Sequence, residues 1–352
     1  QISLLSKKQN MSLKNLNVIS KIPKLLTNNL KNKKINSIYK RFEKNLNISE
    51  NFVVAVSGGP DSLALAYLSK IYSLKKKLIT KFLIINHNLR PESKKEAKTV
   101  QRILKKYHIN SKILNWNGIK PSKNIQSAAR KKRYELLFAE SDKYKINNIL
   151  LGHQQDDLFE NFFIRILRGS GLKGLISLDK KNKINNKNLL RPLINEKKEN
   201  LILISKNVFN FYVEDPSNND EKYQRILIRK LLKELQERGL DKKKFKNTVK
   251  NLKYSNTVIN YYVNQNIKKN SYHSIKKEKM ILKKEYFQQP FEIIFRSLSE
   301  SIKLIGGKYY PVRGKKLERI ITNIKNYRAL KQTIGGCIIE KVNHSIIITK
   351  EH

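Results

Sequence analysis

The residues best placed by type and spacing to do chemistry are Ser57-Gly58-Gly59-Pro60-Asp61-Ser62. They follow a short apolar run, Phe52-Val53-Val54-Ala55-Val56, and precede the helix-forming Leu63-Ala64-Leu65-Ala66-Tyr67-Leu68. A small, glycine-rich turn lets backbone N–H groups approach an anion closely. The helix start adds the positive end of its dipole, and Ser57 and Ser62 bring hydroxyl donors. Asp61 would be repelled by phosphate unless a divalent cation lay between them, so the turn implies Mg2+ as well as phosphate. It is not Gly-x-x-x-x-Gly-Lys-Ser/Thr, whose lysine it lacks. The plain alternative is a tight turn in which Ser and Asp only cap the helix.

A second group lies further along. His153 sits just past the apolar stretch Asn148 to Leu151, at the edge where parallel sheets bind ligands. Its imidazole can transfer a proton there, or it is a buried structural histidine. Asp156 and Asp157 begin a helix, where one carboxylate complements the dipole and Asp157 is favoured as the functional one. Glu160, one turn on, is either a seat for an amine or an exposed glutamate. Arg130, in Ala128-Ala129-Arg130-Lys131-Lys132-Arg133-Tyr134, can neutralise phosphate or belong to a solvated face. Arg168, in Arg168-Gly169-Ser170-Gly171, heads a flexible cationic loop or a plain C-cap. Arg225 and Arg229, one turn apart, present a basic face. Tyr309 and Tyr310, beside Lys308 and Arg313, read as packing, with base stacking as the rival.

Positioning these residues requires strands that end beside one another. Apolar runs at 52–56, 81–85, 111–116 and 148–151 alternate with helical faces such as Ala97, Val100, Leu104 and Tyr107, or Ala129, Tyr134, Leu137 and Phe138. That alternation predicts an α/β fold, a parallel sheet wound with helices through right-handed crossovers. The rows Leu158, Phe162, Ile166 and Phe159, Phe163, Leu167 predict a helix buried against the sheet. Residues 180–188 read as a polar loop, and 221–236 as a helix. Residues 1–50 form a Lys/Asn-rich N-terminal extension with one amphipathic stretch, Ile35 to Leu46. Residues 51–240 form the α/β domain. Residues 241–352 form a Lys-rich helical region to about 287, then two helices and a hairpin from Thr333 to Thr349 around Val342-Asn343-His344, a small C-terminal α+β region.

A chain of 352 residues has room for two or three domains. Its 74 basic and 28 acidic residues give a net charge of +46, a field suited to a polyanion such as RNA. Part of the lysine excess accompanies a general wealth of Lys, Asn and Ile. The one cysteine, Cys337, excludes an intrachain disulfide framework, a Cys-rich zinc site and a CxxC pair; the lone thiol fits a reducing cytoplasm. No run approaches the ~18 apolar residues of a membrane span, so no membrane partner is expected. The first twenty residues lack the apolar core of a secretory signal. Residue 1 is Gln, so the translational start is left open.

Ser57 to Ser62 resembles the pyrophosphate-binding loop of the N-type ATP pyrophosphatases, which cleave ATP to AMP and pyrophosphate. Further pieces resemble one family within them, the tRNA(Ile)-lysidine synthetases: Asn86-His87-Asn88-Leu89-Arg90-Pro91-Glu92-Ser93, Ala128 to Tyr134, Gly152-His153-Gln154-Gln155-Asp156-Asp157-Leu158-Phe159-Glu160, Arg168 to Leu175, Arg191-Pro192-Leu193 and Glu214-Asp215-Pro216-Ser217-Asn218. The order is the family's, across about 52–235. Gln154, Leu158, Asn161 and the segment Arg225-Ile226-Leu227-Ile228-Arg229 depart from its usual pattern. The ending soon after the hairpin resembles short members without an additional C-terminal domain.

The resemblance implies ATP and Mg2+ as cofactors, with an isoleucine tRNA carrying a CAU anticodon and free L-lysine as partners. The reaction it implies adenylates the wobble cytidine and replaces AMP by lysine. It also implies roles: Ser57, Gly58, Gly59, Pro60, Asp61 and Ser62 for ATP, Asp61 for the metal, and Asp61, Arg130, His153 and Asp157 for the chemistry. Glu160, Arg168, Arg225 and Arg229 fall to substrate, and 241–352 to tRNA. A homodimer is left open. The rivals are a thiolase-like pyrophosphatase, which would want a cysteine pair, and a noncatalytic RNA-binding protein with a vestigial loop.

Such a cationic chain should bind tRNA with steep salt dependence, because each neutralised phosphate releases condensed counterions. Filter binding across a salt series checks this; an affinity that hardly changes would detach the +46 from RNA.

Overall fold

The computed structural model describes residues 23–118, 121, 124–184, 186–214, 224–274, 278–307, 312, 314–326 and 331–351. The Tyr309-Tyr310 pair with Lys308 and Arg313, and Asp215 to Asn218, lie outside the described residues. The chain divides into two units between Gly239 and Leu240.

Four parallel strands carry the first unit: β1 (Phe52–Val56), β2 (Thr80–Asn86), β3 (Ser111–Asn115) and β4 (Asn148–Leu150). A hairpin of β5 (Lys181–Ile184) and β6 (Lys187–Leu190) completes a six-stranded sheet ordered β3-β2-β1-β4-β6-β5. From β1 the chain moves outward to β2 and β3, whereas β4 joins the other side of β1. The winding reverses between β1 and β4, which opens a crevice beyond their carboxyl ends.

The first unit's main helices are α1 (Lys33–Leu46), α2 (Pro60–Lys76), α3 (Ser93–Lys106), α4 (Ile125–Lys143), α5 (Gln155–Leu167), α6 (Lys198–Phe209) and α7 (Gln224–Glu237). Period-two alternation sends β1 side chains into two cores. Phe52, Val54 and Val56 share one with residues of α1, α2, α3 and α6. Val53 shares the other with Leu83, Ile149 and Leu137 of α4. Every residue from Leu63 to Leu68 is fully buried, because α2 is covered by the sheet, α1 and α6 at once. The amphipathic stretch predicted at 35–46 is α1, and its Ile35, Ile38, Tyr39, Phe42 and Leu46 are all buried. The segment set apart in the sequence as an extension thus builds the main core. Arg41 of α1 also clamps buried Glu196 with two bonds, Nε to Oε1 at 2.7 Å and Nη2 to Oε2 at 2.8 Å.

Three expectations need correcting. Residues 180–188 are not a loop: their two ends pair as β5 and β6. Leu189 and Leu190 bury β6, and Lys187 is accommodated because its ammonium donates to the Ile146 carbonyl at 2.9 Å and pairs with Asp142. The helix after 241 stops at Asn270, and residues 271–274 and 279–282 are strands that pair with each other, the second also pairing with residues far along the chain. Of the two apolar rows, α5 fully buries just Phe159 and Phe162; Ile166 and Leu167 are exposed, and its neighbours are α7 and the short helix Leu172–Leu175.

The second unit packs α8 (Lys242–Asn270), α9 (Phe291–Gly306) and α10 (Gly314–Lys325) with a five-stranded antiparallel sheet. Its strands are β7 (Ser271–Ser274), β8 (Lys279–Leu282), β9 (Lys331–Ile334), β10 (Cys337–Val342) and β11 (Ser345–Lys350), ordered β7-β8-β11-β10-β9. β10 and β11 form the predicted hairpin, turning at Asn343, which has φ +53°. Cys337 is buried, its thiol 3.3 Å from the Ile302 carbonyl.

The last residue of α9, Gly306, lies directly under the β9–β10 turn, where an added Cβ would strike the Gly335 carbonyl oxygen and crowd Cys337. Gly306→Ala should therefore cost about 1–3 kcal/mol by overpacking. Denaturant unfolding checks it; an unchanged midpoint would show that this turn yields freely.

Candidate active site

The turn at the end of β1 is built around one hydroxyl. Ser62 Oγ accepts the N–H of Ser57 at 3.1 Å and of Gly58 at 3.0 Å, and donates to the Gly59 carbonyl at 2.9 Å. From outside, the Val213 N–H donates to the Gly58 carbonyl at 3.0 Å. Gly58 has φ +91°, and a Cβ there would strike Val100 and Val213, so only glycine fits. Two loop N–H groups are thus turned inward. Those of Gly59, Asp61 and Ser62 begin α2, where a helix supplies no internal partners, and no side chain caps it. Pro60 has no N–H to leave unpaired there.

The end of β4 is held against this turn. A Cβ on Gly152 would lie 3.2 Å from the Asp61 carbonyl, so a bulkier residue would push the two loops apart. His153 follows. Burial, then the positive charges of Arg191, Arg130, Arg225 and Arg133, hold its imidazole well below the ordinary histidine value. It is neutral at pH 7, and its Nδ1 is buried without a hydrogen-bond partner.

At the start of α5, Gln154 Oε1 accepts the Asp156 N–H at 2.8 Å and Asp157 Oδ2 accepts the Gln154 N–H at 2.9 Å, a reciprocal cap. Gln155 N–H donates to the carbonyl of Glu196, the residue that Arg41 clamps, at 3.0 Å. Asp157 therefore caps the helix with one oxygen and turns Oδ1 to Arg225 Nη2 at 3.4 Å. Glu160, 2% exposed, lies between Arg225 Nε at 2.8 Å and Arg229 Nε at 2.6 Å. Burial pushes its carboxyl up, against the pull of Arg229 and Arg225. Both substrate-binding arginines proposed on α7 are thus engaged by the carboxylates of α5.

Arg130 and Arg133 are exposed on α4; Arg130 Nη2 reaches the Tyr134 hydroxyl at 3.2 Å, and Arg133 Nη2 lies 3.5 Å from His87 Nε2. Arg168 ends α5 in an ordinary C-cap, with Gly169 at φ +63° and its side chain on Gln224 at 3.3 Å. Arg191, 4% exposed, donates to the Asp179 carbonyl at 2.8 Å and to Asn182. The site therefore has an acidic lobe of Asp61, Asp156, Asp157 and Glu160 and a basic lobe around His153, with Arg225 in both. Sequence reasoning had assigned no role to Arg133, Arg191 or Lys198. Arg191 did stand in a quoted motif, Arg191-Pro192-Leu193; Lys198 carried no signal beyond its charge.

Asp61 fits a divalent cation. Its Oδ1 is buried with no hydrogen-bond partner. Burial and then the Asp157 charge push its carboxyl up to about 7, against the pull of Lys198 and Arg229. A cation there would relieve both the burial and the repulsion. Among the described residues no group of three or more His, Cys, Asp or Glu could hold a metal by itself, so phosphate and water would complete its shell.

Residues 28–235 match the PP-loop domain family. The tRNA(Ile)-lysidine synthase of Wolbachia pipientis wMel is 35% identical over 307 residues, covering 85% of this chain and 70% of the relative. That of Orientia tsutsugamushi (strain Boryong) is 34% identical over 329 residues, covering 88% and 71%. Among solved structures, the U34-tRNA thiolase NcsA from Methanococcus maripaludis superposes with a TM-score of 0.52 at 18% identity, covering 63% of this chain and 78% of that one. This last likeness is one of fold alone.

The raised Asp61 carboxyl makes stability depend on pH. The folded state holds the proton more tightly than the unfolded chain, so its contribution is complete below the ordinary value of 3.8 and is lost as pH rises through about 7. In Mg2+-free buffer, Asp61→Asn should melt higher than wild type near pH 8, with the gap narrowing toward pH 4. Parallel melting curves at all pH values would show that Asp61 is solvated in the folded state.

Proposed function

The chain belongs to the tRNA(Ile)-lysidine synthase family of PP-loop proteins, and from that premise we propose that it ligates free L-lysine to the wobble cytidine of an isoleucine tRNA with a CAU anticodon. ATP-dependent modification of tRNA is the family's activity. In the first step the C2 carbonyl oxygen of the cytidine attacks the α-phosphorus of ATP; the O–P bond forms and pyrophosphate leaves. In the second, the neutral ε-amine of lysine attacks C2, the C–N bond forms, AMP leaves with the former carbonyl oxygen, and the amine loses its proton. Adenylation is needed because a urea-like carbonyl oxygen is a very poor leaving group and AMP is a good one.

The observation that carries this reading is the meeting, at one switch point, of an anion-seeking helix start, a neutral histidine and a cluster of arginines. The N–H groups of Gly59, Asp61 and Ser62 would receive the departing pyrophosphate. Asp61 would hold Mg2+, which when bound offsets the phosphate charge. Arg130, Arg133 and Arg191 would face the α-phosphate. His153, being neutral, would hydrogen-bond phosphate or base without adding charge. Glu160 and Asp157 would hold Arg225 and Arg229 toward the RNA. A lysine amine entering the acidic lobe would meet carboxylates already shared with Arg225. Residues 241–352 would bind tRNA.

The test is incubation with unmodified isoleucine tRNA, ATP and labelled lysine. Lysine should enter the tRNA with stoichiometric AMP and pyrophosphate release, none occurring without tRNA. Asp61→Asn should lower turnover by roughly 100-fold or more, as loss of a group stabilising transition-state charge does, with tRNA affinity retained. His153→Ala should lower adenylation more than tRNA binding. Label-free tRNA beside normal ATP consumption would remove lysine as the substrate.

A further inference from the structure

The longest helix of the second unit carries a face that the proposed chemistry does not use. α8 has eight lysines and no acidic residue along its length. Val249, Val263 and Asn266 form its buried side, with Phe245, Leu252, Ile259 and Ile267 partly buried. Roughly opposite run Lys243, Lys250, Tyr254, Val258, Tyr261 and Lys268, all exposed and separated by three, four or seven residues, hence one straight stripe about 37 Å long. Tyr254 and Tyr261 are each 59% exposed, and Val258 57%. The Lys250 ammonium lies 5.5 Å from the Tyr254 ring centroid.

Exposed aromatic surface in a row marks an interaction surface rather than ordinary exposure. Three occupants have different chemistry. A second copy of the same face would set lysine against lysine with no carboxylate to answer it. A membrane would want a broad apolar face rich in Leu, Phe or Trp, whereas the one aliphatic residue of this stripe is Val258, between Tyr254 and Tyr261 and flanked beyond them by lysines. RNA answers both features: phosphates for the ammonium groups, and flat base faces for the rings.

Resting on the reading that tRNA is the substrate, we propose that this stripe of α8 is a docking surface for the RNA, on which Lys243, Lys250 and Lys268 neutralise phosphates and Tyr254 and Tyr261 stack on unpaired bases. Tyrosine supplies area without sequence preference, because every base has a π-face. The stripe would therefore add affinity and reach rather than choice of base.

The test compares the full chain with Tyr254→Ala/Tyr261→Ala and with Lys243→Gln/Lys250→Gln/Lys268→Gln, using an unmodified isoleucine tRNA transcript. Both variants alter exposed positions, and melting curves check that they fold. The tyrosine variant should lose about tenfold or more in tRNA affinity, with the slope of log affinity against log salt unchanged. The lysine variant should also lose about 2 from the steepness of that slope, since each neutralised phosphate contributes about 0.7–0.9. ATP affinity and turnover at saturating tRNA should hold in both. Unchanged tRNA affinity in both folded variants overturns the proposal. So does loss of binding to phosphatidylcholine–phosphatidylserine vesicles, or a shift from dimer to monomer in sedimentation, while tRNA affinity is kept. Lysine incorporation by the wild type tests the proposed function separately, because it can fail while the affinity differences persist.

Discussion

Holding paired and unpaired charges side by side beneath the crevice is the constraint on which the rest of the first unit depends. Four carboxylates and a larger number of arginines converge beyond the ends of β1 and β4, and Arg225 is where the two signs meet. Some are paired, as Glu160 is with Arg225 and Arg229, while Asp61 Oδ1 is buried with no hydrogen-bond partner. Here backbone elements fix them. Asp157 is tied to its own helix start, Glu160 is buried between two guanidinium groups, and Asp61 stands on a turn tightened by Ser62. A partner left behind by the removal of one member would face the full cost of an uncompensated buried charge.

That arrangement rests on close packing beneath it. The stretch Leu63 to Leu68 of α2 is fully buried, and such a packed segment holds the turn that precedes it in place. Gly58 and Gly152 then set how closely strand ends, loop and helix start approach. The sheet contributes the crevice, through the reversal of winding between β1 and β4; side-chain chemistry contributes the rest.

Local signals carried much of this into the sequence. The strand–turn–helix passage at 52–68 reads directly, because apolar run, glycine turn and helix former are contiguous. α1 reads equally well from its five apolar positions. What escaped was what only tertiary pairing decides. β6 is a strand because β4 lies beside it, and its polar end survives because Lys187 finds a carbonyl and a carboxylate. β8 takes its register from β11, more than sixty positions along the chain. In the site, individual residues were legible but their partnerships were not. Arg225 and Arg229 looked like one free basic face, and only the packing of α7 on α5 brings Glu160 between them. The aromatic–cationic stripe of α8 was hidden in a lysine-rich composition that could equally have been mere bias.

The Arg41–Glu196 clamp has a consequence at a distance. Glu196 is buried, its side chain is held by α1, and its main-chain carbonyl receives the first N–H of α5. If α1 frayed, that carboxylate would lose its guanidinium while still enclosed, and the anchor beneath Gln155 would loosen with it. The clamp therefore ties the N-terminal helix α1 to the start of α5, where Gln154 and Asp157 form their reciprocal cap. Amide protons of α1 would then exchange with deuterium more slowly when a bound ligand holds the start of α5 in place, so that this helix becomes a gauge of occupancy.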